Sequence, residues 1–148
     1  GRFEKDAGTY YQKMLDNAAT YHHMKILTMS RLTQNLLKAI DYEQILQKRN
    51  ENYRLLKELL PSDSPFTRVT PDGPFAYPYY HKNGIALRKA LAKEKIFVPT
   101  NWSNVIRDCA PESYEYQWAA DILPLPCDQR YGNEEMQRIA DVIHALEP

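Results

Sequence analysis

The sequence has little cysteine, no long apolar run and no net charge, and each of these closes off a class of protein. Cys109 and Cys127 are the only cysteines in 148 residues. They form no CxxC pair and no framework of close pairs, so they read as two buried or semi-buried thiols in a reducing compartment rather than as a disulfide scaffold. No apolar run approaches transmembrane length and no signal peptide is visible, which points to the cytoplasm and away from a membrane. Lys plus Arg number 19 and Asp plus Glu 19. The two portions of the chain differ only mildly: ten basic against seven acidic residues up to Leu60, nine against twelve after it. A nucleic-acid binder would concentrate basic charge on one face, and none is concentrated here. The first residue is Gly1 rather than Met, which reads as a processed chain or an excised piece of a longer one.

What is present is ordinary for a soluble domain: 43% hydrophobic and 26% charged residues, in a chain long enough for one buried core. Phe3 to about Thr20 is compatible with helix, with Tyr10, Tyr11, Met14 and Leu15 as its apolar stripe. Tyr21-His22-His23-Met24 invites a metal reading. Adjacent histidines diverge on a helix and no further ligand lies nearby, so no metal site is expected. The helical pattern resumes at Leu27, Met29, Leu32, Leu36, Leu37 and Ile40. Asp41 then caps a helix over Tyr42–Leu60, with Ile45, Leu46, Tyr53, Leu56 and Leu60 on one face and Gln47, Lys48, Glu51 and Lys57 on the other. Arg49 falls within the apolar stripe, where its stem can lie on the core while its charge stays wet. Pro61 ends the helix.

Beyond Pro61 the chain is dense in breakers. Phe66–Val69 and Phe75–Tyr80 read as strands, separated by a Pro71-Asp72-Gly73 turn. Asn83 caps a helix over Gly84–Lys95, and Ile96–Val98 reads as a third strand, halted by Pro99. Val105–Cys109 is ambiguous, and Ser113–Asp121 reads as a short helix. In Ile122–Pro126 the two prolines cannot donate to a ladder, so this is an edge strand or an extended segment. A polar turn follows, and Asn133 caps a last helix whose apolar face is Met136, Ile139, Ile143 and Leu146. The expectation is an α+β fold: long N-terminal helices beside a small, mostly antiparallel sheet with helices on one face. Residues 1–60 form a helical hinge or arm and residues 61–148 a small C-terminal domain.

Three stretches then carry a family resemblance. SRLTQNLLKAIDYEQILQKRNENYRLL (Ser30–Leu56) resembles the helical hinge leading into the small domain of the DegT/DnrJ/StrS sugar aminotransferases. PFAYPYYHKNGIALRKALAKEKIFVPTNW (Pro74–Trp102) resembles the strand–helix–strand of that domain. ILPLPCDQRYGNEEMQRIADVI (Ile122–Ile143) is similar to the family's closing segment of leucine-proline strand, polar turn and last helix. Each motif alone is common, and the three in this order and spacing are specific; they span about three-quarters of the chain. The first thirty residues match only loosely.

The resemblance implies the C-terminal domain of a pyridoxal-phosphate enzyme of fold type I. In the family the cofactor sits in a large N-terminal domain whose lysine forms the Schiff base, with an acidic residue on the pyridine nitrogen. None of the ten lysines of this chain lies in such a context. The implied activity of the full-length protein is amino transfer to a keto-sugar, with the catalytic residues and the cofactor outside this chain. Implied partners are the large domain, a second copy in a homodimer, and a sugar substrate. The loop after Ile96–Val98 is the positional match to the family's substrate pocket. There Asn101 would hydrogen-bond substrate oxygens and Trp102 would stack on a sugar or cofactor ring. Family members often carry a His or Trp at this loop, so Asn101-Trp102 leaves a histidine role without its residue. Arg130 offers a fork suited to a carboxylate or phosphate, and equally to pairing with Asp128 or Asp121.

Two other readings remain open. One is a non-catalytic protein-interaction module, in which the tyrosines at Tyr77–Tyr80, Tyr114 and Tyr116 meet another domain or subunit. The other is a small independent enzyme using His81 or Cys109, for which the sequence shows no partner constellation.

Overall fold

The computed structural model describes residues 7–146 apart from residue 63. The expected helix start at Phe3 lies outside the described residues. The chain divides into two units, Gly1–Ile40 and Asp41–Pro148. The second unit therefore begins at Asp41, ahead of the boundary expected at residue 60, and the helix after Asp41 belongs to it.

In the first unit, α1 (Ala7–Thr20) runs into a single 3-10 turn at Tyr21–His23. The apolar pattern from Leu27 gives helix only over α2 (Arg31–Lys38), because Ser30 starts it: the Ser30 Oγ accepts the Thr33 N–H at 3.1 Å. Leu32, Leu36, Leu37 and Ile40 are all exposed.

The second unit is built on α3 (Tyr42–Leu59), capped by Asp41, whose Oδ1 accepts the Gln44 N–H at 2.9 Å. After it come β1 (Ala76–Tyr80), α4 (Gly84–Lys93), α5 (Ser103–Asp108), α6 (Tyr114–Asp121), β2 (Ile122–Pro126) and α7 (Asn133–Leu146). β1 and β2 pair antiparallel, Tyr77 opposite Leu125, Pro78 opposite Pro124 and Tyr79 opposite Leu123. Proline has no N–H, so the Pro78–Pro124 pair is a non-hydrogen-bonded one and its neighbours carry the ladder. The His81 N–H donating to the Asp121 carbonyl at 2.9 Å continues that alternation beyond the strands. The prolines thus stand where free donors would face outward, which leaves both edges poor templates for a further strand.

Side-chain alternation gives the sheet two different faces. Tyr77, Tyr79, Leu123 and Leu125 enter the core with Tyr53, Leu56, Leu87, Leu91, Met136, Ile139 and Ile143 from α3, α4 and α7. An edge-to-face pair of Tyr53 and Tyr77, with centroids 5.2 Å apart, sits in it. The Tyr77 hydroxyl donates to the Leu60 carbonyl at 2.6 Å. Tyr77 and Tyr79 are therefore core residues rather than members of a tyrosine surface. The α+β class is as expected from the sequence.

Three local expectations change. Phe66–Val69 is not a strand: Pro65–Arg68 is a 3-10 turn. Short polar side chains draw its backbone in, with Thr67 Oγ1 donating to the Ser62 and Ser64 carbonyls at 2.9 and 2.7 Å. Ile96–Val98 joins no ladder. Its alternation is real, with Ile96 and Val98 buried and Phe97 exposed, and the Ile96 N–H is taken up by the Leu91 carbonyl at the end of α4, at 2.9 Å. The last helix is capped by Gly132 rather than Asn133. Met136 N–H donates to the Gly132 carbonyl at 3.2 Å, and Glu135 Oε2 reaches back to accept the Gly132 N–H at 2.8 Å.

Candidate functional site

The second face of the sheet forms the floor of an open apolar groove of about 690 Å³. Ala76 and Pro78 of β1 and Ile122 and Pro124 of β2 supply that floor. Val105 of α5 and Trp118 and Ala119 of α6 line one part, Phe66 and the Asn101-Trp102 loop another. Phe66 and Trp118 meet edge to face, with centroids 5.7 Å apart and planes at 77°. Ser113 starts α6 by accepting the Tyr116 N–H at 3.3 Å; Glu115, Trp118 and Ala119 then share one helical face. Trp102 is held in the left-handed region, φ 52°, which a bulky residue adopts only at a cost of order 1–3 kcal/mol. Its carbonyl accepts the Val105 N–H at 2.9 Å and so starts α5.

Two of the three residues singled out from sequence, Asn101 and Trp102, are thus side by side on this groove. Arg130 is not among its lining residues. The Arg130 Nε and Nη2 donate to the two Asp128 carboxylate oxygens at 2.7 and 2.8 Å, and Asp128 is buried. Of the two partners proposed from sequence the structure selects Asp128, and the fork is engaged with it. That bond holds the Asp128 carboxyl below its ordinary pKa, against the opposing effect of burial. The pair fixes the polar turn from outside, while Asn52 of α3 fixes it from within. The Asn52 Nδ2 lies 3.0–3.3 Å from the carbonyls of Cys127, Asp128 and Tyr131. Arg49 adds an exposed hydrogen bond to the same turn, its Nε donating to Gln129 Oε1 at 2.8 Å.

His81 gains a neighbour that the sequence did not reveal. Its Nδ1 accepts the Asn83 N–H at 3.2 Å, and it interacts electrostatically with Asp121. Burial raises the Asp121 pKa, opposed by the Gly84 N–H, His81 and Arg88. Arg88 Nη2 donates to the Ile122 carbonyl at 3.3 Å. This cluster ties the start of α4 to the junction of α6 and β2. Cys127 is equally structural: burial pushes its thiol up to about 12, and its Sγ lies 3.8 Å from the Pro74 carbonyl. Cys109 and Cys127 are both free. No group of three metal-ligating side chains occurs among the described residues, and no helix there is long and apolar enough to cross a membrane.

The groove does not fit pyridoxal phosphate by itself. Among the described residues its lining holds no lysine for a Schiff base and no cation for a phosphate. Phe66, Glu115 and Trp118 complete the site and were not singled out from sequence. The spacing of Glu115, Trp118 and Ala119 was a legible signal, whereas Phe66 had none. No family model, no curated protein and no solved structure matches the chain.

Proposed function

We propose that this chain is the C-terminal domain of a pyridoxal-phosphate-dependent sugar aminotransferase, contributing one wall of the active site and none of its covalent chemistry. One observation carries the reading. Asn101 and Trp102, which the resemblance assigns to the substrate pocket, line an open groove on the sheet face opposite the core. A second supports it: α3, β1, α4, β2 and α7, drawn from the three resembling stretches, share one core.

In this reading the cofactor supplies the electron sink for amino transfer from a domain outside the chain. The residues here bind and orient. Trp102 offers a ring face to a sugar or cofactor ring, and Asn101 offers an amide to a substrate oxygen. The proline floor and Phe66–Trp118 exclude water from that side. Cation and phosphate partners come from elsewhere in this reading, since the described lining has neither lysine nor arginine. The polar turn with Arg130 holds the last helix in place and does not touch substrate. A homodimer and a cytoplasmic location belong to the same reading.

The exposed leucines of α2 favour the second reading, a non-catalytic interaction module. Both are tested by sequencing the reading frame upstream of Gly1 and purifying the complete gene product. The enzyme reading expects an upstream lysine and the visible absorption of its Schiff base, abolished by borohydride. A complete product with neither ends the enzyme reading and leaves the module.

A further inference from the structure

Among the eleven described residues lining the groove only Glu115 is charged, and three are aromatic: Phe66, Trp102 and Trp118. The Glu115 side chain makes no hydrogen bond or ion pair with any described residue, whereas the Asp108 carboxylate is taken up by Arg107 at 2.6 Å. The ring faces of Trp and Phe carry negative quadrupole potential. The perpendicular Phe66–Trp118 pair sets two such rings at 77° to each other, so that they do not present parallel walls. The one formal charge among the described lining residues is thus negative, and the aromatic ring faces beside it share that sign. Such a lining disfavours an anion, and a neutral apolar guest would displace water from Glu115 without replacing its interaction.

We infer that the groove binds a small organic cation carrying apolar bulk, of the alkylated-ammonium class. Phe66, Trp102 and Trp118 contact its methyl or methylene groups, Glu115 neutralises its charge, and Pro78 and Pro124 form the floor. An alkylated ammonium suits this lining better than a bare one because it is weakly hydrated and needs no hydrogen-bond acceptors beyond the carboxylate. The inference stands on the groove alone and does not rest on the aminotransferase reading. Loss of that reading through the upstream sequence leaves it intact.

The chain carries its own reporter, since both of its tryptophans line the groove. Tryptophan fluorescence is titrated with choline and, in parallel, with the alcohol in which a tert-butyl group replaces the trimethylammonium. The two probes match in shape and differ in charge. The expected result is a saturable change with choline at about tenfold lower concentration than with the neutral isostere. Glu115 is exposed at the start of α6, so Glu115→Gln is expected to keep its far-ultraviolet circular dichroism and to lose the tenfold preference. Phe66→Leu is expected to weaken choline binding more than binding of the alcohol. Equal affinity for the two probes, no saturable change, or a preference that survives Glu115→Gln overturns the proposal.

Discussion

Asn52 illustrates how one half of a buried amide can be put to use while the other half goes unpaired. It is fully buried on α3, and its amide nitrogen serves three turn carbonyls that have no ladder of their own. Its Oδ1 has no partner among the described residues. Asn52→Ala strands those carbonyls and is expected to cost about 2–3 kcal/mol in urea unfolding, the penalty for leaving buried acceptors unpaired. Asn52→Asp should cost more, because a carboxylate would face carbonyl oxygens; equal stability of the two variants would contradict this account. Asp128 makes the same turn sensitive to pH. Its folded pKa is lowered, chiefly by the Arg130 hydrogen bond, so its stabilisation is complete above the ordinary carboxylate value of 3.8 and fades as pH falls below it. Asp121 has a raised folded pKa and works in the opposite sense, its contribution fading as pH rises through that higher value. Asp128→Asn is therefore expected to flatten the acid limb of a stability–pH curve below pH 3.8. An unchanged limb would mean that solvent screening at the exposed Arg130 removes the effect.

At the scale of elements, helix packing overrides helix propensity at Gly84. Glycine costs a helix about 1 kcal/mol relative to alanine, so Gly84→Ala should help α4 taken alone. In the fold an added Cβ would lie 2.3 Å from the Ala120 carbonyl oxygen and 2.6 Å from the Asp121 Cα. Both are backbone atoms and neither can rotate away. The clash is expected to dominate, with a net loss of at least 2 kcal/mol, roughly, in a thermal melt; a rise in melting temperature would refute the close approach. The cap at Asp41, the amphipathic face of α7 and the edge character of Ile122–Pro126 were legible because each depends on neighbours within a few residues. Phe66–Val69 misled because aromatic and β-branched content signals a strand, whereas Ser62, Ser64 and Thr67 bind the backbone locally. Asn52 and Arg49 were illegible: their partners in the polar turn lie more than seventy positions away. The groove was half legible. Asn101 and Trp102 came from the resemblance, but Phe66 and Glu115 join them only once α6 and the 3-10 turn fold against the sheet.

For the whole molecule, the distribution of burial decides what the first forty residues contribute to stability. Every residue of the hydrophobic core lies between Tyr53 and Ile143, and each of α3, α4, α7 and the sheet meets it. The unit that begins at Asp41 therefore contains its own core, its own cap for α3 and both strands. Cys127 is a natural gauge of that core, buried beside Pro74 with its thiol raised to about 12. A neutral, covered thiol reacts only when the surrounding β2 segment opens, so its alkylation should follow unfolding of the whole unit. Cys109 is half-exposed and is expected to react first. With iodoacetamide and mass spectrometry, the native chain should take one label quickly, on Cys109, and the second only as urea unfolds it. A chain shortened to begin at Asp41 should show the same second-label midpoint as the full chain, since the core residues described all lie beyond that start. A lower midpoint would show that residues before Asp41 stabilise the unit, and early labelling of Cys127 would show that β2 opens without it.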